Sequence, residues 1–193
     1  MKFSQLFYFK LDFYSKKIEI VITMGPQVVL FLLISSVLSE IPKLNVEIYI
    51  ESECKYSKIF IQEQVKPAYE HIKNESVRLT FIPFGKSQSF VENSEVTFQC
   101  QHGQVECVGN MIIACVLNFF PFDYDHQIEF MGCAMGFEKT KIHCAEDVGI
   151  SEEKLKNCME NEGTNLQLKN EVKTNPVTAI SGHVPTIVFD GEF

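Results

Sequence analysis

The chain lacks any cluster of lysine or arginine, and its formal net charge is −8 over 193 residues. It therefore carries no electrostatic footprint for nucleic acid, and that class is set aside. No apolar run has the roughly 20 residues that a membrane-spanning helix needs. No internal repeat or low-complexity linker divides the chain, so solenoids and strings of modules are excluded. Zinc-finger spacing is missing too, as is the second cysteine of a Cys-x-x-Cys pair: after Cys54-Lys55-Tyr56 the sequence has Ser57.

Cysteine itself is plentiful. Seven residues of this type in a chain of this length point to an oxidising or secretory route, where disulfides persist. The N-terminal part agrees with that route. Residues 28–38 (VVLFLLISSVL) have the length of a signal-peptide core. Val37 and Ser39 suit the positions three and one before a cleavage site, which puts the mature start near Glu40. Residues 1–39 are thus read as an extension plus signal peptide, with residues 1–23 lying upstream of a more natural start at Met24, and residues 40–193 as one domain. An uncleaved anchor is the alternative, but no stable membrane insertion is expected. Asn74-Glu75-Ser76 is the single glycosylation sequon and falls in a turn.

The stretch from Leu44 to Ile72 organises the rest. Leu44, Val46, Ile48 and Ile50 alternate with Asn45, Glu47, Tyr49 and Glu51, which predicts a β-strand. After Cys54 the period changes. Ile61, Val65, Ala68, Tyr69 and Ile72 recur at helical spacing, with Pro67 expected to kink the helix. Cys54 therefore falls at a helix start, where free N–H groups favour a thiolate, the nucleophile of disulfide exchange. The bland alternative is a small buried core residue. A Cys-x-x-Ser site can attack a disulfide but cannot resolve its own mixed disulfide.

Further on, Val77–Pro83 reads as a second strand, 85–94 as a polar loop, and Val96–Gln99 as a short strand pairing with the second. Cys100-Gln101-His102-Gly103 then runs into Glu106-Cys107, Asn110 and Cys115, in the pattern C-Q-H-G-x2-E-C-x2-N-x4-C. On residue types alone, Cys100, His102, Cys107 and Cys115 are zinc-ligand types. The other reading is structural, with the cysteines pinning a helix to the preceding loop and His102 and Glu106 satisfying that loop. The pattern resembles the signature of the gamma-interferon-inducible lysosomal thiol reductase (GILT) family, with all eight fixed positions present. The resemblance runs from about Leu44 to the end of the chain. It implies an α/β, thioredoxin-like fold with a helical insertion at about 103–174, and thiol–disulfide exchange on protein substrates in a lysosomal or secreted setting.

Within that frame Cys54 is the expected nucleophile and Ser57 the occupant of the resolving position, able to donate a hydrogen bond to the thiolate. No metal or cofactor is expected. An external small thiol, such as cysteine or glutathione, is the expected reductant. The signature residues, with Cys133, Cys144 and Cys158, are expected to be structural. Cys144 and Cys158 flank a helix–turn–helix that they could staple. Helices are read from Asp123 as an N-cap to Gly136, over 138–148, and from Ser151 to Gly163. Thr164–Gln167 has capping-box form and opens a short fourth. His71, His126 and His143 are placed on solvated faces. His183-Val184-Pro185 precedes the apolar Thr186–Phe189, and Asp190-Gly191 signals a turn. The resemblance implies that Pro185 is the cis-proline facing the reactive cysteine and that Val184 and Pro185 line the substrate groove. The chain stops at Phe193, short of a strand and helix expected from the resemblance. The alternative function is a binding protein on the same scaffold that has lost turnover.

Overall fold

The computed structural model describes residues 43–72 and 77–192, and the backbone of 6–13 and 16–23. The last two segments form an antiparallel hairpin, β1 (Leu6–Phe13) and β2 (Lys16–Thr23). The signal-peptide reading at 28–38, the cleavage site and Asn74 lie outside the described residues.

The second unit, from Lys43 onward, is built on a three-stranded sheet. Its central strand, β3 (Leu44–Ile50), pairs in parallel with β4 (Val77–Pro83) and antiparallel with β7 (Thr186–Phe189). A parallel pair needs a crossover. Here it is α1 (Lys55–Phe60), a π-helical turn (Ile61–Val65) and α2 (Lys66–Ile72). The expected irregularity of this helix is present, but it is a widened turn just ahead of Pro67. Such a turn lets the ladder skip the N–H that proline lacks.

The predicted helical insertion is real and longer than expected. It comprises α3 (Gln104–Phe119), α4 (Tyr124–Ala134), α5 (Lys141–Asp147), α6 (Glu152–Asn161) and α7 (Gly163–Ser181). Asp123, Thr140 and Ser151 cap their helices by accepting from backbone N–H groups three residues on. The helix read as short from Thr164 is the last of these, α7, and it runs for 19 residues. Pro176 lies inside α7, removing one hydrogen bond without ending the helix. Thr164 is not its cap either, because the helix starts at Gly163 behind Glu162.

Two further expectations are corrected. The loop read at 85–94 contains a strand, β5 (Gln88–Glu92), and β6 (Glu95–Gln99) pairs with it rather than with β4. Asn93 and Ser94, both at positive φ, make the two-residue turn. The alternation in β3 also misplaces Tyr49 and Glu51. Both are buried, because the sheet is covered on each face. One core joins Val46, Ile48 and Ile50 to the crossover helix and the insertion, while a smaller cluster gathers Tyr49, Ile82, Val184 and Val188 around Cys54. Among the described residues, no helix is long and apolar enough to cross a membrane.

Candidate active site

Three disulfides account for six of the seven cysteines: Cys100–Cys107, Cys115–Cys158 and Cys133–Cys144. The staple that Cys144 and Cys158 could have made is not formed. Cys144 on α5 faces α4, whereas Cys158 on α6 faces α3. The zinc reading of Cys100, His102, Cys107 and Cys115 falls with it, since all three cysteines are oxidised. Cys54 is the one free thiol.

Cys54 is the N-cap of α1, held in extended conformation, with its N–H bonded to the Glu51 carbonyl at 3.3 Å. Its side chain is buried at 7 % exposure. The wall opposite comes from the other end of the chain. Gly182, at φ 71°, ends α7 in the left-handed region that glycine tolerates and turns the backbone toward β7. The Val184–Pro185 bond that follows is cis. Cys54 Sγ donates to the Val184 carbonyl at 3.8 Å, across 130 residues of sequence. The fold thus brings Cys54, Val184 and Pro185 together.

Ser57 lies one turn beyond Cys54 and is fully buried. Its hydroxyl accepts from the Glu51 N–H at 3.3 Å, and no hydrogen bond joins it to Cys54. The hydroxyl is engaged by the strand end rather than by the thiol.

The signature does not contribute the thiol, but it braces the residues just ahead of it. The Ser52 N–H donates to Asn110 Oδ1 at 2.8 Å, and Ser52 Oγ donates to the Glu106 carbonyl at 3.1 Å. Gly109 packs on Ser52 so closely that a Cβ there would collide with its hydroxyl. His102 Nδ1 lies 2.5 Å from Glu106 Oε2 and 3.6 Å from Glu51 Oε2. Burial pushes the Glu51 carboxyl above the ordinary carboxylate range, against the pull of the Lys86 N–H. Gln101 is exposed at the rim, and Gly103, at φ 78°, caps α3.

Sequence reasoning missed Glu51, Ser52 and Glu53. Glu53 ion-pairs with Lys58 at 2.7 Å and with Lys141 of α5 at 2.5 Å. Burial raises its carboxyl, and the two lysines more than reverse this, holding it below the usual range. Phe137, from the α4–α5 loop, lies over the Lys58 ammonium. The insertion therefore reaches the thiol loop. The only sequence signal for this is the acidic spacing Glu51-x-Glu53 directly before Cys54.

The fold has counterparts among solved structures. The chain is similar to DsbA from Chlamydia trachomatis, with a TM-score of 0.52 at 16 % identity over 76 % of this chain and 75 % of that one. It is likewise similar to the thiol–disulfide exchange protein alpha-DsbA2 from Wolbachia pipientis, with a TM-score of 0.53 at 10 % identity over 79 % and 74 %. These likenesses establish the thioredoxin-like fold. Fold and family together define a thiol–disulfide oxidoreductase.

The family is more particular. The model of the gamma interferon inducible lysosomal thiol reductase (GILT) family matches residues 45–162, and the chain belongs to that family. It is 36 % identical over 168 residues to GILT-like protein 1 of Drosophila melanogaster, covering 78 % of this chain and 67 % of that protein. It is 31 % identical over 164 residues to the gamma-interferon-inducible lysosomal thiol reductase-like protein of Anopheles gambiae, covering 76 % and 67 %.

Proposed function

We propose that this protein reduces disulfide bonds in polypeptide substrates, in a lysosomal or secreted setting, with Cys54 as nucleophile. The observation that carries this reading is the placement of the single free thiol at a helix start, 3.8 Å from the Val184 carbonyl and beside Pro185. The Cys54 thiolate attacks one sulfur of the substrate disulfide. The S–S bond breaks, one substrate thiolate leaves and takes up a proton, and a mixed disulfide forms on Cys54. Val184 and Pro185 form the wall of the groove that positions the substrate strand.

Ser57 cannot complete the exchange, because a hydroxyl is not a useful nucleophile toward sulfur. A small external thiol, such as cysteine or glutathione, attacks the mixed disulfide instead. A second such thiol regenerates Cys54. Per turnover, one substrate disulfide becomes two thiols and two small thiols become one small disulfide, so the electrons balance. No cofactor enters the cycle.

Insulin reduction with added cysteine, at acidic and neutral pH, tests the assignment. Turnover is expected to rise with thiol concentration and to vanish in Cys54→Ser. Activity that survives Cys54→Ser would remove Cys54 from the reaction. One observation favours a second reading, a binding protein with little turnover: the position of a resolving thiol is taken by Ser57, whose buried hydroxyl accepts from the Glu51 N–H. That reading expects a reactive Cys54 with no covalent substrate adduct.

A further inference from the structure

The reaction leaves one cluster unused. Glu51 lies just past the end of β3, and His102 and Glu106 flank the start of α3. One ligand atom from each lies within 4.8 Å of the others. Both carboxylates are buried, at 1 % and 0 % exposure, while the His102 side chain is 38 % exposed and opens the cluster to solvent.

The oxygens divide their work. Glu51 Oε1 accepts the Lys86 N–H at 2.7 Å, and Glu106 Oε1 accepts the His102 N–H at 3.4 Å. The two Oε2 atoms are left facing the same nitrogen, His102 Nδ1. Backbone donors that fix the far oxygen of each carboxylate are the kind of outer support that ligating groups require.

Charge also bears on the cluster. Among the described residues, the His102 imidazole is the ion-pair partner of both carboxylates. The Lys86 ammonium, on an exposed side chain, adds only a weaker attraction at Glu51. With both carboxylates ionised, the single imidazole does not balance them, so the cluster takes up either a proton or a cation, since buried unpaired charge is costly. A dication removes that imbalance.

We propose that Glu51, His102 and Glu106 form a binding site for a divalent first-row cation, with zinc the best match to one imidazole and two carboxylates. Zinc holds such ligands at roughly 2.0–2.2 Å, which sets tetrahedral donors about 3.4 Å apart. The 3.6 Å between His102 Nδ1 and Glu51 Oε2 is already near that spacing. Glu106 Oε2 would give up its hydrogen bond and swing outward, and water would fill the fourth position from the exposed side of His102. The cation would tie α3 to the strand end that leads into Cys54. This site is separate from the thiol chemistry and goes beyond it.

The test uses the full chain with its three disulfides intact and Cys54→Ser, so that no thiol competes for metal. Zinc chloride is titrated by calorimetry near neutral pH. One equivalent is expected to bind with micromolar affinity or better. His102→Ala and Glu106→Gln should each weaken binding by roughly tenfold or more, and His143→Ala, on an exposed surface, should not. Circular dichroism checks that each variant is folded. Should one fail to fold, ¹⁵N-histidine spectra of the Cys54→Ser chain decide the matter, since zinc must shift the His102 ring nitrogens. Binding that persists in both folded variants, no binding up to about 1 mM zinc, or unmoved His102 resonances overturns the proposal and leaves a cluster balanced by a proton alone.

Discussion

Replacing Ser57 by cysteine asks whether position 57 faces the reactive sulfur. Residues three apart on a helix are neighbours, so Cys54 and residue 57 share one face of the first turn. A thiolate there competes with external thiol for the mixed disulfide on Cys54. Effective molarities of well-oriented partners reach about 10⁵ M; even ~1 M would outrun about 1 mM of added cysteine by about a thousandfold. The adduct lifetime should shorten by that order, and the dependence of turnover on added thiol should weaken. The variant also carries a cost. Ser57 Oγ now accepts the Glu51 N–H in a fully buried position, and a thiol accepts poorly. The loss should be about 1 kcal/mol, rising to ~3 kcal/mol if the N–H is left unpaired. For a chain of this size, Tm should fall by about 2–4 °C per kcal/mol. The assay traps substrate adducts with scarce thiol, separates them on non-reducing gels and follows their decay. If the folded variant keeps the adduct lifetime of the parent, residue 57 does not face the Cys54 sulfur and the assignment of this turn as the exchange site is refuted.

Three further outcomes are expected. Removing each disulfide in turn should destabilise the chain in order of loop length. The loss of Cys115–Cys158, which closes 43 residues, should cost about 4 kcal/mol; Cys133–Cys144, closing 11, ~2.8 kcal/mol; and Cys100–Cys107, closing 7, ~2.4 kcal/mol, as read by urea unfolding; another order would show that native-state packing outweighs loop entropy. Glu51 is raised by burial, so the native state binds its proton more tightly than the unfolded chain. Its contribution is full below about pH 4.5 and is lost as pH rises through the raised value. Glu51→Gln, which keeps an acceptor for Lys86, should flatten that part of the Tm–pH curve; an unchanged curve would put the proton elsewhere. Expressed in a eukaryotic cell, the chain should begin near Glu40 and lose mass on removal of N-linked sugar from Asn74, whereas an unglycosylated chain starting at Met1 would end the secretory reading.

What the sequence revealed followed from local rules. The strand–helix junction at Cys54 was legible because the apolar period switches from two to helical spacing within a few residues. The N-caps Asp123 and Ser151 were legible because a cap is a local hydrogen bond. The misses came from distance. Glu51 looked like an outward residue of an alternating strand, but segments distant in sequence, Gly85–Lys86 and the start of α3, pack over it. Nothing near Cys144 says that it faces Cys133 rather than Cys158, because that choice depends on how α3, α4, α5 and α6 stack. The β5–β6 hairpin was missed because its residues are largely exposed and its turn, Asn93-Ser94, lacks glycine.

The geometry also explains why a signature so far from the thiol in sequence carries so many fixed residue types. The exchange proposed at Cys54 requires its sulfur to hold one position against the Val184 carbonyl, and a short bridge, Glu51–Glu53, leads from β3 to Cys54 and α1. Such a bridge has no helix or ladder partners of its own, so its backbone groups must be satisfied from outside. Asn110 takes the Ser52 N–H, the Glu106 carbonyl takes the Ser52 hydroxyl, and Gly109 leaves room for that contact. His102 and Glu106 meet the Glu51 side chain. Cys100–Cys107 closes the loop that carries His102, and Cys115–Cys158 anchors the far end of α3 to α6. Lys141 and Lys58 hold Glu53 from the other side. Glu106, Gly109 and Asn110 sit on one face of α3 at spacings of three and four residues, so shifting any of these residues by a single position would turn it away from the bridge. Loosening this brace should therefore lower the rate of exchange before it unfolds the chain. Asn110→Ala is the variant in which the two effects can be separated, with alkylation of Cys54 read against Tm. A drop in Tm with no change in the alkylation rate would mean that the bridge holds Cys54 without help from α3.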